Sequence, residues 1–286
     1  MLHLTRYIDF EASHYYYLPE LSRADNYRIF GNKINPHGHN YSVHVTVGGE
    51  IRPSDGMVVN IKDLDRLIRG YINQCYDHKQ INQQHPVFSA DLSLQPTPEN
   101  IVVELWRAVS QNLDALNIGV DMSVLRLNEE ERTYVQYYGA KHMVNLTRIY
   151  EFSAAHRLHS FELSDSENLE IFGKCNNPNG HGHNYVLEVT LSGEVDQRTG
   201  LLVRAVDLDQ IINKKVLGRF DHKHLNLDTV EFQARNPTSE NFVQVLWEQI
   251  ENDILSLAPS RSICLYRLRL KETPKSFFDY YGPQPI

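Results

Sequence analysis

The sequence predicts an α+β protein built from two copies of one domain, residues 1–142 and 143–286, each an antiparallel four-stranded sheet with two helices on one face. Three observations predict it. First, Asp77-His78-Lys79 is echoed by Asp221-His222-Lys223, Pro96-Thr97-Pro98-Glu99-Asn100 by Pro237-Thr238-Ser239-Glu240-Asn241, and Tyr137-Tyr138-Gly139 by Tyr280-Tyr281-Gly282, at offsets of 141–144 residues. A period of that size is domain duplication, because solenoid periods run ~20–50 residues. Second, apolar residues alternate at Tyr41, Val43, Val45 and Val47, and again at Tyr185, Leu187, Val189 and Leu191, as in strands with one buried face. Third, each half then switches to helical periodicity.

Taken in order, 3–10 and 147–152 read as opening strands, and the alternating segments as their partners. Helical spacing covers 61–76 and 206–217. A second helix starts at Thr97-Pro98-Glu99 and at Thr238-Ser239-Glu240, where threonine caps, proline suits the first turn and glutamate favours the positive helix end. Strands at 123–128 with 133–138, and at 262–271 with 277–281, close each half. The order β-β-α-α-β-β gives sheets with two open edges, which must be covered or paired, so oligomeric closure is expected.

Composition narrows the function. The chain carries 28 Lys+Arg against 36 Asp+Glu, net −8, and lacks the basic run that nucleic-acid binding needs. No apolar run reaches the ~18–20 residues of a membrane span, and the opening residues lack a signal-peptide core. The three cysteines are far apart and odd in number, which fits a reducing cytoplasm better than a disulfide framework.

Each half holds three histidines in one layout: His14 with His37 and His39, and His156 with His181 and His183. Residues two apart on a strand face the same side, and the preceding strand brings the third imidazole alongside. Three imidazoles leave a fourth position open, as in catalytic zinc sites; zinc is favoured over iron or another divalent ion. A structural zinc closed by Cys175 is the competing reading.

Only the second half has that cysteine. Cys175 lies in an Asn/Pro/Gly-rich loop, where an inert core thiol is out of place, and is read as a base or nucleophile. Cys75, in a helix, and Cys264, on an apolar strand face with Tyr266, Leu268 and Leu270, read as inert. Asp221-His222 supplies a carboxylate-oriented imidazole for proton relay. Glu240 and Glu272 are carboxylates suited to a guanidine-like N–H pair, as in a pterin or guanine ring.

These residues together resemble the 6-pyruvoyl-tetrahydropterin synthase / 6-carboxytetrahydropterin synthase family, in two tandem copies covering nearly the whole chain. The resemblance rests on Phe152-Ser-Ala-Ala-His156, Lys174-Cys175-Asn-Asn-Pro-Asn-Gly-His181-Gly-His183-Asn-Tyr185, Asp221-His222-Lys223, Pro237-Thr-Ser-Glu240-Asn241 and Lys271-Glu272-Thr273. It implies a tunnelling fold (T-fold), in which subunits join sheets into a barrel with active sites at subunit or domain interfaces. It also implies a cytoplasmic zinc lyase that eliminates triphosphate from 7,8-dihydroneopterin triphosphate. The product is 6-pyruvoyl-tetrahydropterin, or 6-carboxytetrahydropterin plus acetaldehyde in the branch that feeds queuosine synthesis. The six-residue step from Cys175 to His181 looks like the pyruvoyl branch, yet relatives with that loop are also assigned to the carboxy reaction, so both products stay open. Carried over residue by residue, His156, His181 and His183 hold zinc, Cys175 is the base, and Asp221-His222 is the relay, acting across an interface. Glu272 holds or relays at the pterin, and Glu240 with Thr238 and Ser239 binds it.

The first half departs at one place: Lys33 stands where Cys175 stands, in a loop two residues shorter. His14, His37 and His39 still match, as do Asp77, His78, Glu99 and Glu129. The first half is therefore expected to bind metal without catalysing, with Asp77-His78, Glu99 and Glu129 available to a site across an interface. Two other readings compete: a non-catalytic zinc- or pterin-binding assembly, and an enzyme for an unphosphorylated pterin.

Overall fold

The structure is a computed structural model that describes residues 1–115, 119–139, 143–259 and 261–283. The chain divides into two compact bodies, Met1–Leu146 with Ser192–Arg204, and Thr147–Leu191 with Ala205–Ile286. The expected boundary at 142 falls outside the described residues. The segment Ser192–Arg204, which belongs by sequence to the second repeat, is part of the first body.

In the first body, β1 (Leu2–His14) runs antiparallel to β2 (His37–Gly49), from Leu2 opposite Gly49 to His14 opposite His37. β4 (Asp121–Glu130) joins β2, and β5 (Thr133–Tyr137) joins β4, all antiparallel. To the four expected strands the structure adds β3 (Lys79–Gln80), which pairs parallel with Ala12 and Ser13 on β1. The helix Ile61–Cys75 buries Leu64, Ile68, Ile72 and Cys75, a period-3.6 stripe. Asn60 caps it by accepting from Lys62 N–H. The helix Pro98–Ala115 buries Ile101, Val102, Leu105, Val109 and Leu113 in the same way. The valines that alternate along β2 are fully buried, as the sequence pattern requires.

The second body repeats this plan. β6 (Met143–His156) lies beside β7 (His181–Glu194), followed by β9 (Ile263–Thr273) and β10 (Ser276–Tyr280). β8 (Lys223–His224) pairs parallel with Ala154 and Ala155. The helix expected at 206–217 is α-helical over Ala205–Ile212, widens to a π-turn at Asn213–Leu217, and continues through Gly218–Phe220. The helix Ser239–Leu255 is capped by Thr238, which accepts from Asn241 N–H. Its Phe242 meets Phe152, Tyr185, Phe220 and Phe232 edge-on, so four elements converge on one ring.

Two short helices before the metal-site strands, Arg23–Phe30 and Asp165–Phe172, were not expected from the sequence; each buries little of its own surface. Cys75 is buried as expected, but Cys264 is exposed beside exposed Tyr266. The correction has a simple cause: Ile263 and Leu265 face inward at one end of β9, while Leu268 and Leu270 do so further on. The alternation changes phase between them, so the face of Leu268 cannot be extrapolated to Cys264.

Gly139 and Gly282 both have positive φ, and a Cβ on either would lie 2.7 Å and 2.6 Å from Trp106 and Trp247, respectively. Gly139→Ala is expected to lower Tm by several degrees, corresponding to a loss of ~1–2 kcal/mol from strain and indole displacement. An unchanged Tm would contradict this packing.

Candidate metal centre and catalytic residues

The register of each hairpin end builds the histidine cluster. His14 pairs directly with His37 across β1 and β2, and Ala12 with His39; in the second body β6 and β7 are neighbours in the sheet and bring the corresponding imidazoles together. His156 sits 4.6 Å from His181 and 5.2 Å from His183, ring centre to ring centre, and His181 sits 4.9 Å from His183. In each trio the ligand nitrogens all lie within 4.8 Å of one another.

His156 is almost wholly buried, and its Nδ1 lies 2.8 Å from the Pro237 carbonyl oxygen. A carbonyl can only accept, so Nδ1 carries the proton and Nε2 keeps its lone pair. Burial, opposed by this bond, lowers the His156 pKa to about 4, so the ring is neutral near pH 7. Nε2 of His156, His181 and His183 are all buried without a hydrogen-bond partner. Burial also lowers the His181 pKa. Three inward-facing imidazoles with unpartnered Nε2 atoms fit a divalent cation, and the Pro237 carbonyl acts as an orienting group behind the ligand. Glu272 approaches from β9, with Oε1 3.7 Å from His156 Nε2 and 3.5 Å from His183 Nε2.

The first body matches this closely. His14 Nδ1 donates to the Pro96 carbonyl at 2.7 Å, and burial lowers its pKa to about 4. Glu129 Oε1 lies 3.5 Å from His14 Nε2 and 3.8 Å from His39 Nε2. The difference is Lys33, whose ammonium lies 3.1 Å from Glu129 Oε2. Burial opposes ionisation of Glu129, but Lys33 and His14 outweigh it and hold its pKa below the usual carboxylate value.

Cys175 follows the Asp165–Phe172 helix in a single turn of 3-10 helix, Gly173–Asn176, and is partly exposed. Its carbonyl accepts from Leu158 N–H at 2.9 Å. The neighbouring Asn176 donates to the Leu158 carbonyl and accepts from Arg157, whose Nε also donates to the Asn176 carbonyl. Arg157 was not singled out in the sequence; its only signal is its place directly after His156. Gly180 has φ +74, and a Cβ there would lie 2.5 Å from His224 Nε2, so the loop leading into His181 requires glycine.

Asp221 Oδ1 accepts from Ser153 N–H at 2.9 Å and lies 2.9 Å from His222 Nδ1. The Ser153 bond foremost holds the Asp221 pKa below its ordinary value. His222 is 81% exposed and has φ 55, as has His78, a strained backbone that persists where the surroundings enforce it. Asp77 and His78 form the same pair at 3.0 Å. Among the described residues no contact joins Cys175 to Asp221-His222.

Glu99 and Glu240 begin equivalent helices but differ in setting. Glu99 is buried, which raises its pKa to about 7, and its Oε1 accepts from Leu202 N–H at 2.9 Å. Glu240 is exposed, Thr238 is half-buried, and Ser239 is buried.

A pH effect follows for metal-free protein. With a folded pKa near 4 against 6.5 when unfolded, His156 lets the unfolded chain bind its proton first. Its stability contribution is complete above pH 6.5 and is lost as pH falls towards 4, by up to about 3 kcal/mol. His156→Gln should therefore lose less urea stability between pH 7 and 5 than the unsubstituted chain. Equal losses would contradict the buried neutral imidazole.

Comparison with known proteins adds the family. The model of the 6-pyruvoyl tetrahydropterin synthase family matches twice, over residues 3–140 and 145–283. The chain is 46% identical over 142 residues to 6-pyruvoyl tetrahydrobiopterin synthase of Drosophila melanogaster, covering 49% of this chain and 81% of that one. It is 28% identical over 109 residues to 6-carboxy-5,6,7,8-tetrahydropterin synthase of Bacillus subtilis, covering 38% and 72%. Among solved structures, 6-pyruvoyl tetrahydropterin synthase of Caenorhabditis elegans is 44% identical, covers 49% of this chain and 96% of its own, and has a TM-score of 0.45.

Proposed function

The chain belongs to the 6-pyruvoyl tetrahydropterin synthase family, carrying the T-fold domain twice, and on that premise we propose that it is a zinc-dependent lyase acting on 7,8-dihydroneopterin triphosphate, with the chemistry in its second half. The observation that carries this reading is the trio of buried, unpartnered Nε2 atoms on His156, His181 and His183 in the repeat that also carries Cys175. His156, His181 and His183 would hold the zinc, which would supply Lewis acidity to the hydroxyl groups of the substrate side chain and so acidify the neighbouring carbon-bound protons.

The protein's own groups do the rest. Cys175, as thiolate, takes a carbon-bound proton. His222, held by Asp221, relays protons, and its exposure suits a role towards a site outside its own body. Glu240, with Thr238 and Ser239, receives the N–H pair of the pterin ring. Glu272 sits where it steadies protons beside the imidazoles. Proton removal next to the phosphorylated carbon lets triphosphate leave with the bonding electron pair. The proton taken by Cys175 is returned to the pterin ring, which is reduced to the tetrahydro level as the carbinol carbon beside it becomes a carbonyl. The side chain then ends as a pyruvoyl group, or water cleaves the bond between its two carbonyl carbons to give a 6-carboxy product and acetaldehyde.

In the first half the metal trio is intact, but Lys33 fills the cysteine position and pairs with Glu129. Its ammonium, 3.1 Å from Glu129 Oε2, neutralises the carboxylate that lies beside the trio and so weakens the pull on a dication. We infer that the first half holds zinc more weakly and does not catalyse by itself.

The test is incubation with 7,8-dihydroneopterin triphosphate under reducing conditions, followed by mass analysis. A tetrahydropterin product and free triphosphate are expected, with Cys175→Ala at least ~100-fold slower. Absence of turnover in the zinc-loaded protein would leave a non-catalytic assembly, and turnover of unphosphorylated dihydroneopterin would change the substrate. Metal analysis tests the halves: two zincs per chain at saturation, with one lost first to a mild chelator. Lys33→Ala should tighten the weaker site about tenfold, the equivalent of ~1.4 kcal/mol; two sites of equal affinity would refute the inference.

A further inference from the structure

The helices Ile61–Cys75 and Pro98–Ala115 of the first body leave between them a groove of about 820 Å³, with Leu67, Gly70 and Tyr71 on one wall and Arg107, Ala108 and Gln111 on the other. That is the size of a small-molecule site, ~300–1,000 Å³. None of its lining residues belongs to the histidine trio or to the groups around it. Gly70 keeps the groove open. A glycine inside a helix is less stable than alanine, and a Cβ on Gly70 would meet nothing within 4 Å, so packing does not require it.

Behind Tyr71 and Arg107 lies a carboxylate that the fold does not need. Glu104 is only 5% exposed. Its Oε1 accepts from the Tyr71 hydroxyl at 2.5 Å and from Arg107 Nη2 at 3.2 Å, and its Oε2 accepts from the Tyr76 hydroxyl at 2.5 Å. Buried His85 takes the Val87 N–H on Nδ1, so its Nε2 carries the proton and lies 3.4 Å from Glu104 Oε2. Burial opposes ionisation of Glu104, but His85 and the two hydroxyls outweigh it and hold its pKa below the usual carboxylate value. A buried ion pair adds little stability over an apolar replacement, and the second body carries that replacement: Val245 and Phe220 stand in the places of Glu104 and Tyr76, both buried. There Lys214 and Gln249 stand for Gly70 and Ala108, and Lys215, in the place of Tyr71, joins the two helices through Asp253 at 3.0 Å. What Glu104 does in the first body is fix one side chain on each wall. Arg107 is held further by donating from Nη1 to Gln111 Oε1 at 3.2 Å.

We propose that this groove binds a nitrogen-heteroaromatic anion, a purine or pterin ring carrying a phosphate or carboxylate, at a site separate from the metal centres. The flat ring lies along Tyr71 and over Gly70 and Ala108, where no long side chain intrudes. Gln74, Gln111 and Asn112 offer the ring edge both N–H donors and carbonyl acceptors. Arg66 and Arg107, one from each helix, take the anion. The pair of Arg66 with Asp63, at 3.4 Å and exposed on both sides, is of the kind that yields to a stronger partner at little cost.

Isothermal titration calorimetry on the zinc-loaded full chain tests this, with guanosine 5′-monophosphate and pterin-6-carboxylate as probes. At least one should bind the groove with Kd below about 1 mM, and inorganic phosphate or guanosine alone at least ~10-fold more weakly. Gly70→Gln adds a side chain that the helix accepts, so Tm should hold or rise while binding weakens at least ~10-fold. Arg107→Gln should weaken both probes through the loss of the anion contact. A probe held at Glu240 is untouched by Gly70→Gln, so the difference between the two titrations reads the groove alone. The tighter probe identifies a nucleotide or a pterin as the source of the ligand. Failure of both probes to bind at millimolar concentration, binding that Gly70→Gln leaves unchanged, or inorganic phosphate binding as tightly as the probes would overturn the proposal.

Discussion

One carbonyl oxygen in each half sets the geometry of the site. Pro237 accepts the Nδ1 proton of His156 at 2.8 Å, and Pro96 does the same for His14 at 2.7 Å. Because a carbonyl cannot donate, each bond selects a tautomer and aims Nε2 at the other two imidazoles. It also ties the last residue of the opening strand to the turn that starts the long second helix, where Thr238, Ser239 and Glu240 follow at once. Metal ligand and proposed ring anchor are thereby held to one another through two residues of backbone. Burial then keeps the imidazole uncharged, the form that ligates.

Around this shared frame the halves diverge through a few side chains. Glu129 and Glu272 each face two imidazoles of their trio, but Glu129 also holds the Lys33 ammonium. The loop of Cys175 is longer and is pinned through Arg157 and Asn176, so the thiol is presented from a fixed turn rather than a free loop. The two glutamates that open the second helices share a sequence motif but not an environment: Glu99 is capped by backbone from a distant segment, and Glu240 is open. Duplication preserved the scaffold in both halves and let their exposed sites specialise.

Much of this was legible in the sequence, for identifiable reasons. His37 and His39, or His181 and His183, are two apart, and the strand period alone puts both on one face. Alternation at Val43, Val45 and Val47 located β2 because its inner face is wholly buried. The capping threonine Thr238 and the acidic first turn marked a helix start. Other features could not be read this way. The short helices Arg23–Phe30 and Asp165–Phe172 bury too little to leave an apolar stripe. The phase change in β9 displaced Cys264 from its expected face. The packing of 196–204 on Glu99 joins residues about a hundred positions apart, and neither segment carries a local pattern that announces it. The proline carbonyls are backbone atoms, invisible to any search for ligand side chains.

The central claim is that three imidazoles, and not a thiolate, hold the metal of the catalytic half while Cys175 stays free to act as a base. X-ray absorption at the zinc edge, on protein with zinc retained only in its tighter site, reads this directly. The account predicts a first shell of nitrogen and oxygen at ~2.0–2.1 Å without sulfur. A sulfur at ~2.3 Å that disappears in Cys175→Ala would make the cysteine a ligand and contradict it.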